Sequence, residues 1–125
     1  MDRIQTENAP PPGGSFSQAR VSGSLVAVAG QVGIDPATGL LADGLVSQVA
    51  QSIRNLAAVL EEAGAGLESV MKTTCFLTDI EGFDDFDKAY RVLFAEPYPA
   101  RSTVEVGLKA PLLFEIEAWA VLPQG

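Results

Sequence analysis

Residues 45–77 read LVSQVAQSIRNLAAVLEEAGAGLESVMKTTCFL, from Leu45 to Leu77, and this stretch decides the fold. Val46, Val49, Ala50, Ile53, Leu56, Ala57 and Leu60 recur at helical spacing, which predicts a helix from about Leu45 to Ala63 with one apolar face. Gly64 stands where a helix C-terminus favours glycine. Val70 to Leu77 (VMKTTCFL) is β-branched and predicts a strand. Upstream, Ser24 to Gly30 (SLVAVAG) is short and nearly all apolar, as a strand covered on both faces would be. Asp35-Pro36-Ala37-Thr38-Gly39 is a turn, and Ala9-Pro10-Pro11-Pro12-Gly13-Gly14 an extended loop. Downstream, Phe83, Phe86, Tyr90 and Phe94 mark a second helix. Arg101 to Val106 and Phe114 to Leu122 then read as two strands joined by a short loop containing Pro111. Strands, helix, strand, helix and two strands predict an α+β fold, a mixed sheet with two helices on one face. The other sheet face is then uncovered, and self-association is the natural remedy.

At 125 residues, 47% of them apolar, the chain suits one globular domain spanning 1–125. Its net charge of −8 disfavours nucleic-acid and anionic-membrane partners, which are met by clustered Lys and Arg. Histidine is absent and Cys75 is the sole cysteine, so an intrachain disulfide and a Cys/His zinc site are both excluded. Proton transfer must then use carboxylates, hydroxyls, Lys, Tyr or water. The N-terminus carries no apolar signal region, and the expected location is cytoplasmic.

Alternation in the strand 101–106 puts Arg101, Thr103 and Glu105 on one face; in the last strand Glu115 and Glu117 share a face with Trp119. If these strands pair as a hairpin, Arg101 and Thr103 can face Glu115 or Glu117. An arginine beside a carboxylate and a hydroxyl suits bidentate capture of a small carboxylate, with the acid positioning or deprotonating a water. On the residues alone, ordinary cross-strand ion pairs on a solvated face are the better account. Asp87 falls among Phe86, Tyr90 and Phe94, either buried against a partner or at the stripe's edge, hydrated or paired with a Lys or Arg. The acidic residues Asp79, Glu81, Asp84 and Asp85 lack calcium-loop spacing and fit a helix start, and Cys75 fits an inert core thiol.

Six stretches, in order and covering nearly the whole chain, resemble the RidA/YjgF family of reactive intermediate deaminases. They are Thr6-Glu7-Asn8-Ala9-Pro10, Ala29-Gly30-Gln31 followed by the 35–39 turn, and Gln51-Ser52-Ile53-Arg54-Asn55-Leu56. Val70 to Leu77, Tyr98-Pro99-Ala100-Arg101-Ser102-Thr103-Val104 and Glu115-Ile116-Glu117-Ala118 complete them. The resemblance implies a chorismate-mutase-like fold and a homotrimer whose sheets form a central barrel, with ligand clefts between subunits. It implies a hydrolase of C=N bonds that turns small 2-imino acids (2-aminoacrylate and its imine tautomer) into 2-keto acids and ammonia. It further implies that the imines come from PLP-dependent dehydratases and that no metal or organic cofactor is needed.

By position, Arg101 matches the arginine that binds the substrate carboxylate, Glu115 the glutamate that orients the water, and Gly30 a backbone contact in the cleft. Four residues depart from the archetype: Phe16 replaces Tyr, Ala29 Ser, Asp87 Asn and Thr103 Cys. Thr103 keeps a hydroxyl near the water, Phe16 and Ala29 remove hydroxyls, and Asp87 brings a negative charge toward an anionic substrate. Two other functions fit the same residues: non-catalytic binding of small carboxylates such as 2-keto acids, and deamination of a catabolic amino-substituted acid such as an aminomuconate.

Overall fold

In the computed structural model, which describes residues 1–123, one six-stranded sheet carries two helices. The strands are β1 (Asp2–Ile4), β2 (Ala19–Ser22), β3 (Leu25–Val32), β4 (Val70–Leu77), β5 (Ala100–Glu105) and β6 (Phe114–Val121). The helices are α1 (Leu45–Glu62) and α2 (Phe83–Leu93). Across the sheet the order is β1-β2-β3-β6-β4-β5, with β4 and β5 parallel and the other pairs antiparallel. The predicted mixed sheet with two helices on one face is therefore present.

Along β6, Phe114, Ile116, Ala118 and Ala120 are buried under the helices, while Glu115, Glu117, Trp119 and Val121 alternate to the other side. α2 reaches the same buried face: Phe86 packs on Phe114, and the Tyr90 and Thr73 hydroxyls share a hydrogen bond of 2.9 Å. On the far face, Leu25, Trp119, Val121 and Val104 stay exposed, Trp119 at 44%. An apolar sheet face is thus uncovered in one chain, as the strand pattern predicted.

Two features differ from expectation. β5 and β6 do not form a hairpin, because β4 lies between them. The β4–α2–β5 segment is a crossover unit, which delivers β5 parallel to β4 and leaves β4's other edge for β6. The inner face of α1 is also rotated. Val46 is 52% exposed, whereas Gln48, Ser52 and Asn55 are buried with Val49, Ile53, Leu56, Val59 and Leu60.

Gln48 and Asn55 turn inward because loop backbone needs partners there, while the buried Ser52 hydroxyl donates to the Gln48 carbonyl within the helix. Asn55 Nδ2 donates to the carbonyls of Val32 and Ile34, each at 2.9 Å, and Gln48 Oε1 accepts from the Leu113 N–H at 2.9 Å. Asn55→Ala orphans two carbonyls beside the end of β3, so unfolding in urea at fixed protein concentration should show a loss of about 2 kcal/mol.

Helix α1 ends as Gly64 predicted. Its φ is +89°, and the Ala65 and Gly64 N–H groups donate to the Leu60 and Glu61 carbonyls, closing a Schellman motif. β1 and β2 were not foreseen; they extend the sheet beyond β3. The 9–14 loop is pinned at one residue, the buried Gln18, whose Nε2 donates to the Pro10 carbonyl and whose Oε1 accepts from the Thr6 N–H. That anchorage sets where Phe16 emerges.

Candidate functional site

Arg101 leaves β5 on the helix side of the sheet, in register with Thr73, and its guanidinium lies beneath α2. The guanidinium carbon sits 4.7 Å from the Tyr90 ring centre, 5.0 Å from Phe86 and 5.5 Å from Phe83. Three aromatic faces around one cation exclude water and strengthen its remaining polar contacts. Nη1 donates to Asp87 Oδ1 at 2.8 Å, and Asp87 Oδ2 accepts from Arg91 Nη2 at 2.9 Å.

Helical spacing makes this possible. Asp87 and Arg91 are four residues apart on α2, with Tyr90 on the same side. The Arg101 hydrogen bond, reinforced by that of Arg91, holds the Asp87 carboxyl below the usual carboxylate range against the opposing effect of burial. Burial pushes the Tyr90 phenol up to about 12, so it stays neutral. Asp87, Tyr90, Arg91, Tyr98, Pro99 and Arg101 together line a cavity of about 320 Å³.

Glu115 lies on the opposite side of the sheet. Its β6 position pairs with Val32 of β3 and Phe76 of β4. Partial burial raises its carboxyl pKa above the usual value, and the Glu117 charge adds to the rise. Gly30, in the irregular stretch of β3 between Val28 and Gln31, sits against it; a Cβ on Gly30 would lie 2.8 Å from Glu115 Cδ. A side chain here would push the Glu115 carboxylate aside. Phe16, Gly30, Val32, Ile34 and Glu115 line a second cavity of about 330 Å³ beside the proline-rich loop. Phe16 and Ala29 also border a neighbouring recess with Arg20, Glu117 and Trp119.

The expected residues thus fall into two separate groups. Arg101 and Asp87 make one; Phe16, Ala29, Gly30 and Glu115 belong to the other. The expectation that Arg101 and Thr103 face Glu115 or Glu117 within a chain is overturned. With β4 inserted, the register aligns Arg101 with Thr73 and Ala118 on the helix side, and Glu115 with Phe76 on the open side. Thr103 follows Arg101 on the helix side, in register with Cys75, and does not line the Arg101 cavity.

Of the two readings of Asp87, the edge position paired with arginine holds; its side chain is 31% exposed. Cys75 is buried, with its thiol pushed up to about 12 by burial, as an inert core residue should be. The acidic residues serve helix starts: Asp79 accepts from the Glu81 N–H, and Asp84 and Asp85 stand in the first turn of α2. Sequence reading gave Tyr90 only a core role and gave Arg91 and Tyr98 none. The Asp87–Arg91 spacing was the signal available for Arg91.

A family model described as Endoribonuclease L-PSP matches residues 6–122. The chain is 40% identical over 122 residues to the 2-iminobutanoate/2-iminopropanoate deaminase of Salmonella typhimurium, covering 94% of this chain and 95% of that one. Among solved structures it is similar to RidA from an Antarctic Psychrobacter, with a TM-score of 0.95, 36% identity and coverage of 98% and 100%. It is also similar to Escherichia coli TdcF with bound serine, with a TM-score of 0.93, 33% identity and coverage of 98% and 100%.

Proposed function

Because the chain belongs to the Endoribonuclease L-PSP family, which is the RidA/YjgF family, we propose that it hydrolyses small 2-imino acids to 2-keto acids and ammonia. The observation that carries this reading is Arg101, a guanidinium fixed by Asp87 and three aromatic rings in the wall of a cavity of about 320 Å³. Such a group grips a carboxylate in one orientation. The named activity of the Salmonella relative and the serine held by TdcF support a small carboxylate substrate.

In this reading the working site joins the Arg101 half of one copy to the Glu115 half of another. The uncovered apolar face carrying Leu25, Trp119 and Val121 supports self-association. A closed ring of three copies would place each Arg101 cavity beside a neighbour's Phe16, Ala29, Gly30 and Glu115. Arg101 binds the carboxylate and Glu115 takes a proton from a water as it attacks the imine carbon. The nitrogen gains a proton, and collapse of the carbinolamine expels ammonia and leaves the keto acid. Gly30 admits the ligand close to backbone. The imine is already electrophilic, so placement supplies most of the catalysis. A net charge of −8 works against the RNA substrate implied by the family model's description.

The direct test is keto-acid release from 2-iminopropionate generated in situ. Acceleration by this protein is expected; a rate equal to the uncatalysed one would refute the assignment. The pH profile gives a second check. Glu115 acts as the carboxylate, so kcat/KM falls as pH drops through its pKa, and a raised pKa moves that fall to higher pH. Glu117→Gln removes one cause of the rise, so the acid limb should shift to lower pH with the plateau retained.

A further inference from the structure

Asp87 places an anion on the wall of the cavity that Arg101 and Arg91 also line, and the proposed function needs only Arg101. Each Asp87 oxygen accepts one hydrogen bond, Oδ1 from Arg101 at 2.8 Å and Oδ2 from Arg91 at 2.9 Å. An ionised carboxylate has about four lone-pair sites, so acceptor capacity remains on both oxygens. The two arginines keep Asp87 charged, because both bonds favour the anion. All three residues line the cavity, which offers a ligand a fixed cation and, beside it, a fixed anion.

We propose that Asp87 is a specificity-determining residue that accepts a hydrogen bond from the ligand's C2 nitrogen, so the cavity selects zwitterionic 2-amino and 2-iminio acids over 2-keto acids. This rests on the reading of Arg101 as carboxylate anchor. A 2-iminio acid carries its N–H donors one carbon from its carboxylate, matching the Asp87–Arg101 pair in sign and order. A 2-keto acid presents only a lone-pair oxygen at C2, which the Asp87 carboxylate repels. Hydrolysis therefore converts a ligand that satisfies both charges into one that satisfies only Arg101, and the product leaves more readily than the substrate. Arg91 competes for Asp87 Oδ2 and tempers its strength as an acceptor.

L-Alanine and pyruvate share a carbon skeleton and differ only at C2, and neither is turned over by imine hydrolysis. Calorimetric titration of each into the assembled protein gives a ratio of affinities. Asp87→Asn should move that ratio toward pyruvate by on the order of tenfold or more, the loss of one charge-assisted hydrogen bond. Arg91→Gln should move it the other way, toward alanine, by releasing Asp87. A merely structural role for Asp87 would weaken both ligands together in both variants. If wild type binds both ligands and neither substitution changes the ratio, the selection by Asp87 is wrong while the Arg101 anchor stands. If wild type binds neither ligand at millimolar concentration, the carboxylate-anchor reading fails and this inference fails with it.

Discussion

Replacing Arg101 with methionine or alanine is expected to lower kcat/KM for 2-iminopropionate by about a thousandfold, with assembly retained. The loss has two sources in the geometry. The substrate carboxylate loses a planar donor held over Tyr90, Phe86 and Phe83. Asp87 then keeps only Arg91, and its charge faces the incoming carboxylate without the guanidinium between them. Methionine keeps the apolar stem of Arg101 but ends near its Nε position, so the stem still packs while the guanidinium over the rings and its charge are gone. Lysine should not rescue activity, since a point charge cannot hold both Asp87 and a ligand carboxylate in the fork geometry. Turnover in Arg101→Met within a few-fold of wild type would remove Arg101 from the site.

Glu115→Gln should lower kcat by about two to three orders of magnitude and change KM little, because the amide fills the same space but cannot take a proton. Stability should move the opposite way. The Glu115 pKa in the fold lies above its ordinary value, so its ionised form is disfavoured by folding. What the protonated carboxyl contributes to stability is present at low pH and lost as pH rises through the folded pKa. At neutral pH the glutamine variant, which carries no such charge, should be at least as stable as wild type in urea. Activity lost together with stability would instead mark Glu115 as a structural residue.

The helices and central strands were readable in the sequence because their apolar residues keep a period. α2 shows its face through Phe86 and Tyr90, and Gly64 marks the end of α1. Polar residues hid the rest of α1, since Gln48 and Asn55 face inward to serve loop carbonyls and amides that no local pattern announces, and Ser52 bonds back into the helix. β1 has three residues and β2 four, too short for alternation to show. Strand order was the larger loss. That β4 separates β5 from β6 depends on a parallel crossover, a non-local choice, and it alone decides that Arg101 and Glu115 point to opposite sides. Arg101, Glu115 and Gly30, which the position-by-position resemblance named, each line a cavity, but the ion triad of Arg91, Asp87 and Arg101 required the fold.

The central claim is that Arg101 from one copy works with Glu115 from another, and subunit mixing tests it most directly. Arg101→Met and Glu115→Gln chains, each inactive alone, are unfolded, mixed in equal amounts and refolded together. A site whose arginine comes from the Glu115→Gln chain and whose glutamate comes from the Arg101→Met chain is intact. Random pairing across a head-to-tail interface makes about a quarter of all sites intact, so activity should return to about that fraction of the wild-type value. Mixed assemblies that form normally yet stay as inactive as either parent would contradict it.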